Sequence, residues 1–161
     1  MSIDTHTREV ARQVSRSEEE TVRLGEEFGR EFVKAGVVVV VRGELGAGKT
    51  HFVKGVARSL GLSERELTSP TFSLANEYEI PGENFRLFHL DCYRFERPEE
   101  LLELGVEDYL YPQNAATIVE WPERIERFIP KGAIEVELRA LSETEREIII
   151  RLNHDLGGLR D

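Results

Sequence analysis

The chain has 161 residues, of which 40% are hydrophobic and 32% are charged, and its formal net charge is −10. This length and composition are typical of a soluble globular protein, and we expect residues 1–161 to form a single domain. The excess of acidic residues argues against a protein that grips nucleic acid by itself, because phosphate backbones select basic surfaces. No apolar run approaches the roughly 20 residues of a membrane span, and the single cysteine excludes an intrachain disulfide.

The N-terminal region lacks the apolar core of a signal segment, so we expect a cytoplasmic protein. Residues 1–16 are polar and have no clear period, which predicts a loose arm. The sequence Ser17-Glu18-Glu19-Glu20 is typical of a capping box and predicts the start of an amphipathic helix that ends near Gly36.

Residues 43–50 have the sequence Gly-Glu-Leu-Gly-Ala-Gly-Lys-Thr and match the phosphate-binding pattern G-x-x-x-x-G-K-S/T. The valine run 37–41 before them predicts a buried strand, and apolar residues at helical spacing follow them. Glycines allow the backbone to direct several N–H groups towards one anion. In this pattern Lys49 reaches the β- and γ-phosphates and Thr50 binds Mg²⁺. The predicted nucleotide-binding residues are Glu44, Leu45, Gly46, Ala47, Gly48, Lys49 and Thr50.

Two strands joined by a tight turn are predicted after the helix that follows this loop. Residues 73–80 and 85–90 flank a Pro-Gly turn, which predicts a β-hairpin. The hairpin brings Asp91 to the end of its second strand. Pro98 and Gly105 then bound a short predicted helix.

The C-terminal third of the chain is predicted to add three strands. Residues 116–120 form an apolar run that ends in a glutamate, and a Trp-Pro pair breaks it. Residues 134–138 and 146–152 alternate in hydrophobicity and predict an antiparallel extension of the sheet. We expect the tail, residues 153–161, to be loose.

These elements predict an α/β fold, a three-layer P-loop NTPase-like sandwich with a mostly parallel core sheet and antiparallel edge strands. Ligands in such sheets bind beyond the carboxyl ends of the strands, which places Asp91 and Glu120 on the same edge as the phosphate-binding loop. P-loop enzymes need an acidic group at the end of a second strand to hold the metal, directly or through water. Spacing alone does not choose between Asp91 and Glu120.

Further side chains are candidates for the site. Thr71 follows a proline in a loop, where its hydroxyl either meets a γ-phosphate or makes a local turn. His89 lies on the same strand face as Asp91 and is interpreted either as orienting it or as a buried histidine with a satisfied partner. Trp121 is interpreted either as core filling or as a residue beside a nucleotide or partner, and Cys92 as a small core residue.

Four motifs taken together resemble one protein family. They are the loop of residues 43–50, Thr68–Phe72, His89–Arg94 and Val119–Glu123, in that order and with similar gaps. This arrangement resembles the TsaE (formerly YjeE) family, small bacterial ATPases needed to make threonylcarbamoyladenosine at position 37 of certain tRNAs. The resemblance covers almost the whole chain from residue 17 to residue 152.

The resemblance implies binding of ATP/ADP and Mg²⁺, slow ATP hydrolysis, and docking on a TsaB–TsaD heterodimer that holds the tRNA. It also implies that Glu120 joins Thr50 at the metal and that Asp91 lies close by. The segment Ser69-Pro70-Thr71 corresponds to a switch-like motif. The catalytic residues expected on this basis are Lys49, Thr71, Asp91 and Glu120.

Two nucleotide contacts are carried over from the family at single positions. Glu18 matches a family position near the base, and Arg146 matches a position in the final hairpin. The chain departs from many relatives nearby, since it has Glu145-Arg146 where they have Gly-Arg. It also has His51 where they often have a second threonine or another small residue.

The main alternative function is a small P-loop nucleotide or small-molecule kinase. A kinase needs arginines on a mobile lid to neutralise the transferring phosphate. Residues 94–113 instead carry six acidic residues against Arg94 and Arg97. A GTPase-type switch is a third reading, but the sequence contains no N/T-K-x-D guanine motif. We therefore expect an ATPase that a partner stimulates.

Overall fold

The structure is a computed structural model that describes residues 7–63, 66–67, 75–93, 96–97, 99–103 and 105–153. The described elements are β1 (Thr7–Ser15), α1 (Glu18–Phe32), β2 (Val38–Arg42), α2 (Lys49–Ser59), β3 (Ala75–Glu79), β4 (Arg86–Asp91), α3 (Glu99–Glu103), α4 (Val106–Leu110), β5 (Ala115–Glu120), a 3₁₀ helix (Pro122–Phe128), β6 (Ile134–Ala140) and β7 (Arg146–Asn153). No helix in these ranges is long and apolar enough to cross a membrane.

The strands form one mixed sheet in the order β1-β7-β6-β2-β5-β4-β3. The central strands β6, β2, β5 and β4 pair in parallel, whereas β7, β1 and β3 pair antiparallel. The predicted α/β fold, with a mostly parallel core and antiparallel edges, is therefore confirmed. One detail differs from the prediction that residues 134–138 and 146–152 both form an antiparallel extension. Of these two strands, β6 pairs in parallel with β2 and belongs to the core, and β7 pairs antiparallel with β6.

Successive residues of β2 are buried against two different helical layers. Val39 packs in one core with Phe28 of α1 and Phe52 of α2. Val40 packs in a second core with Leu110 of α4. Since side chains alternate across a strand, a continuous valine run is what a strand covered on both faces requires. The helices therefore lie on both faces of the sheet, which gives three layers.

The expected loose arm over residues 1–16 is wrong for residues 7–15, which form the edge strand β1. β1 pairs antiparallel with β7, and an ion pair of 3.1 Å joins Arg12 Nη1 to Glu147 Oε2 across the two strands. Most side chains of β1 are exposed, so the strand lacks the alternation in hydrophobicity that identifies a half-buried strand. At the other end of the chain, Asn153 is the last residue of β7 and is buried, while residues 154–161 lie outside the described ranges.

The predicted cap of α1 is confirmed. The Ser17 side chain accepts a hydrogen bond of 3.0 Å from the Glu20 N–H, which satisfies one of the unpaired donors of the first turn. The helix ends at Phe32, earlier than the predicted end near Gly36, because Val33 is already extended.

Helices α1 and α2 approach so closely that only glycine fits at their contact. A Cβ atom on Gly25 would lie 2.2 Å from the Phe52 carbonyl oxygen, and one on Gly55 would lie 2.0 Å from the Val22 carbonyl oxygen. Both obstacles are backbone atoms, which move only if a helix moves. The two glycines therefore set the distance between the helices that cover one face of the sheet.

We expect Gly25→Ala to lower the free energy of unfolding by about 1–3 kcal/mol, because the added methyl group must push the helices apart. Chemical denaturation measures this loss. Glu27→Ala, at an exposed position of the same helix, is the matched control and should change stability by about 0.5 kcal/mol or less. Alanine favours helix over glycine by about 1 kcal/mol, so a Gly25→Ala variant as stable as the parent would contradict the close contact.

Candidate functional site

A cavity of about 850 Å³ lies at the edge of the sheet where β4 and β5 end. Its walls are the loop between β2 and α2, the ends of β4 and β5, the start of α1 and the turn between β6 and β7. A volume of this size is within the range that small-molecule ligands occupy. The cavity thus lies where a parallel sheet is expected to bind its ligand.

The phosphate-binding loop forms one wall of this cavity. Its lining residues are Leu45, Gly46, Ala47, Gly48, Lys49 and Thr50. Glu44 instead borders a neighbouring cavity with Arg42 and Glu123. Gly48 has φ of 99° immediately before α2, a left-handed conformation that favours glycine. The helix begins at Lys49, so the free N–H groups of its first turn lie at the cavity wall.

Lys49 is largely buried within its own loop. Its ammonium group donates hydrogen bonds to the carbonyl oxygens of Gly43 and Glu44, the latter at 3.0 Å, and lies 3.9 Å from the centre of the Trp121 ring. Burial lowers the pKa of Lys49, while the nearby carboxylates, Glu120 first among them, act in the opposite direction. The lysine is therefore held at the loop by carbonyls and an aromatic face.

Trp121 combines the two positions considered from the sequence, because it is partly buried against the second core and also lines the cavity. Its φ of 56° is uncommon for a residue other than glycine and turns the chain sharply after β5. The indole contacts Lys49 on one side and packs against Tyr93, with ring centres 4.9 Å apart. Both Trp121 and Tyr93 line the cavity.

The two candidate carboxylates lie on neighbouring strands at the same level. Asp91, at the end of β4, pairs with Glu120, at the end of β5, and both line the cavity. The Asp91 Oδ1 atom accepts a hydrogen bond of 3.0 Å from the Tyr93 N–H, so this carboxylate also shapes the turn after its strand. Glu120 is only 7% exposed, and its Oε2 atom lies 2.5 Å from Nε2 of His89. His89 therefore does not orient Asp91. It is a buried histidine whose Nε2 atom has Glu120 as its partner.

The remaining predicted residues have mixed positions. Glu18 lines the cavity, and its Oε2 atom lies 3.5 Å from Nε2 of His51. Arg146 also lines the cavity, but its Nη1 atom donates to carbonyl oxygens of the β6–β7 turn, including that of Ser142 at 2.7 Å. Thr71 lies outside the described residues, so its role stays a prediction.

Several lining residues were not predicted from the sequence. They are Arg16, Ser17, Glu19 and Thr21 at the start of α1, Tyr93 after β4, and Glu143 and Thr144 in the β6–β7 turn. Only the topology brings these segments together, because they are distant in the sequence. The one available signal was the capping box at Ser17, which marks a helix start and hence a group of N–H donors.

The donor set at the strand ends fits a magnesium ion. The Thr50 hydroxyl and the carboxylates of Asp91 and Glu120 are hard oxygen ligands in one cavity. The described residues contain no group of three or more His, Cys, Asp or Glu side chains placed to hold a metal. Magnesium bound with a nucleotide needs no such group, since one or two carboxylates, phosphate oxygens and water complete its coordination.

Residues 15–148 match the family model of the threonylcarbamoyl adenosine biosynthesis protein TsaE. The chain belongs to the TsaE family. The matched range contains all the described residues that line the cavity, from Arg16 to Arg146. The predicted family resemblance is confirmed.

Individual relatives agree with the family match. The tRNA threonylcarbamoyladenosine biosynthesis protein TsaE of Treponema pallidum is 40% identical over 139 residues, which are 86% of this chain and 98% of that protein. The protein of the same name from Bacillus subtilis is 38% identical over 120 residues, or 73% of this chain and 70% of that one. The crystal structure of Bacillus subtilis YdiB superposes with a TM-score of 0.73 at 28% identity, covering 95% of this chain and 91% of YdiB.

We expect the fluorescence of Trp121, the only tryptophan, to report on the position of Lys49. A bound triphosphate should draw the ammonium group away from the indole and change the emission. Titration with ATP measures this change, and adenosine, which lacks phosphates, should produce less of it. Lys49→Ala should remove the phosphate-dependent part, whereas Lys54→Ala, on α2 but outside the cavity lining, should keep it. The same ATP response in Lys49→Ala and the parent would contradict this expectation.

Proposed function

We propose that this protein is a cytoplasmic, Mg²⁺-dependent ATPase that supports synthesis of threonylcarbamoyladenosine in tRNA by acting on a TsaB–TsaD heterodimer. The observation that carries the proposal is the single cavity shared by the phosphate-binding loop, Thr50 and the strand-end carboxylates of Asp91 and Glu120. Membership of the TsaE family, whose model is named for threonylcarbamoyl adenosine biosynthesis, supplies the biological process.

The residues of the cavity divide into groups that bind and groups that assist the reaction. The loop N–H groups and Lys49 bind the phosphate chain, with Lys49 exchanging its carbonyl contacts for phosphate oxygens. Thr50 and Glu120 would hold Mg²⁺, which neutralises charge on the β- and γ-phosphates. Water attacks the γ-phosphorus, the bond to the bridging oxygen breaks, and ADP and phosphate leave. Glu120 or Asp91 orients that water.

The cationic side chains of the cavity predict slow turnover by the isolated chain. Among the described residues that line it, the cations are Arg16, Lys49 and Arg146, with His51 as a titratable group. The guanidinium of Arg146 is bound to turn carbonyls, and Arg16 lies in the segment that leads from β1 into α1. P-loop NTPases that lack a transition-state arginine turn over at roughly 10⁻⁴ per second, and a supplied arginine raises this about 10³–10⁵-fold. A partner that supplies such an arginine at this site would therefore raise turnover.

The charge of the protein favours indirect contact with tRNA. A net charge of −10 repels a phosphate backbone, so the heterodimer is the better candidate for holding the nucleic acid. The same charge distribution disfavours a kinase, because α3 begins with Glu99 and Glu100 where a phosphate-clamping lid would need arginines.

ATP turnover with and without the TsaB–TsaD heterodimer tests the proposal. We expect slow hydrolysis by the isolated chain, a clear increase on adding the heterodimer, and near loss of activity in Lys49→Ala, which lacks the charge-assisted phosphate contact. Lys54→Ala is the matched control and should behave as the parent. Fast turnover that the heterodimer leaves unchanged would contradict the proposal, and transfer of phosphate to a nucleoside or metabolite would favour the kinase.

Conservative amide variants distinguish the roles of the carboxylates of Glu120 and Asp91. We expect Glu120→Gln to slow hydrolysis by about 10²-fold or more while ATP affinity changes only several-fold, since the charge is lost and the shape kept. Asp91→Asn should cost less, because the amide oxygen still accepts the hydrogen bond from the Tyr93 N–H. Single-turnover rates and equilibrium binding measure the two effects. A larger catalytic loss in Asp91→Asn would reverse these roles.

A further inference from the structure

The carboxylate of Glu120 is held from behind by a histidine that does not itself line the cavity. Nε2 of His89 lies 2.5 Å from Oε2 of Glu120, and their side chains are only 4% and 9% exposed. Glu120 lines the cavity, whereas His89 is absent from its walls. A histidine with this placement reaches the cavity only through the glutamate.

The sheet fixes the position of this pair. In the parallel register of β4 and β5, His89 lies opposite Ile118 and Asp91 lies opposite Glu120. Side chains two residues apart on a strand share a face. His89 lies two residues before Asp91, so it reaches Glu120 diagonally across the two neighbouring strands. Both strands are paired on both sides, β4 with β3 and β5, and β5 with β4 and β2. Neither residue can shift along its strand without breaking a ladder of hydrogen bonds.

The other ring nitrogen indicates which atom carries the proton. Nδ1 of His89 is buried and has no hydrogen-bond partner among the described residues. With the proton on Nε2, the ring donates to the carboxylate and leaves Nδ1 as an acceptor. The opposite tautomer would bury an unpaired N–H and set a nitrogen lone pair against a carboxylate oxygen, which is the costlier arrangement. The geometry therefore favours an Nε2–H donor to Oε2.

We propose that His89 is a positioning residue for Glu120, and this inference rests on the proposed ATPase function. The hydrogen bond to Oε2 restrains a side chain that otherwise rotates about three bonds, and it leaves Oε1 for the metal and the attacking water. A carboxylate restrained in this way loses less freedom when it engages them. Partners behind a metal ligand of this kind typically contribute about 10–100-fold to metal affinity or activity.

Two amide variants provide a matched pair. His89→Gln places a side-chain N–H donor near the position of Nε2, whereas His89→Asn is one methylene too short to reach Glu120. We expect His89→Asn to weaken Mn²⁺ binding to the protein with a non-hydrolysable ATP analogue by about 10–100-fold, as measured by electron paramagnetic resonance. His89→Gln should recover most of that affinity. Heterodimer-stimulated ATP turnover should follow the same order.

The same two variants in a Glu120→Gln background separate positioning from a general loss of structure. If His89 acts through the carboxylate, His89→Asn should change Mn²⁺ affinity less than about 2-fold once that carboxylate is gone. Equal losses in both backgrounds, or parent-like Mn²⁺ affinity in His89→Asn, would overturn the inference. Thermal unfolding checks that each variant is folded. If His89→Asn does not fold, His89→Gln decides the matter: because it retains the donor, the folded variant should keep most of the Mn²⁺ affinity, and loss of that affinity would overturn the inference.

The parent protein distinguishes failure of this inference from failure of the proposed function. A parent that binds the Mn²⁺–nucleotide complex and hydrolyses ATP, with a His89→Asn variant identical to it, would overturn only the positioning role. A parent that binds no such complex would overturn the ATPase proposal, and the positioning role with it.

Discussion

Val41, Glu120 and Asp91 lie level with one another across the parallel strands β2, β5 and β4. Because parallel strands end at the same edge of a sheet, this register delivers two carboxylates to the point where the chain leaves β2 for the phosphate-binding loop. A shift of one residue in either pairing would turn Asp91 or Glu120 to the opposite face, away from α2. The chemistry of the site thus depends on a register that is set by buried side chains such as Val40 and Val119, both fully buried.

Backbone carbonyls of the phosphate-binding loop accept the hydrogen bonds of its lysine, Lys49. The ammonium of Lys49 is bound by two loop carbonyls and faces the indole of Trp121. In the proposed function a phosphate chain would replace these contacts, and hydrogen bonds to a charged group contribute about 1.5–3 kcal/mol each. A phosphate chain offers several charged oxygens and meets this requirement, whereas a neutral ligand does not. If the proposed function is correct, the way the lysine is held favours a polyanion over a neutral ligand.

The sequence predicts most of the fold and of the phosphate-binding wall, because these depend on local patterns. The valine run before the loop, the Ser17 cap and the alternating residues of β6 and β7 each carry their own signal. The parts that sequence does not predict depend on contacts between distant segments. His89 shares a strand face with Asp91 but its Nε2 atom contacts Glu120 on the next strand. Predicting which of the two carboxylates the histidine contacts requires the register of the strands. Trp121 reaches Lys49 through a left-handed turn that tryptophan rarely adopts.

The edge strand β1 contributes more to the site than its exposed side chains indicate. At its end, Ser15 is fully buried; its hydroxyl donates to the Ser17 carbonyl at 2.8 Å and lies 2.7 Å from the hydroxyl of Thr21. These contacts fix how the chain passes from β1 into α1, and the residues at that junction line the cavity. The glycine contact at Gly25 then holds α1 against α2, whose first turn carries Lys49. The wall formed by the start of α1 therefore depends on backbone pairing at the edge of the sheet and on the close contact between α1 and α2. This is why Arg16 and Ser17, which follow the edge strand, line the cavity although the polar composition of residues 7–15 does not indicate a role in the site.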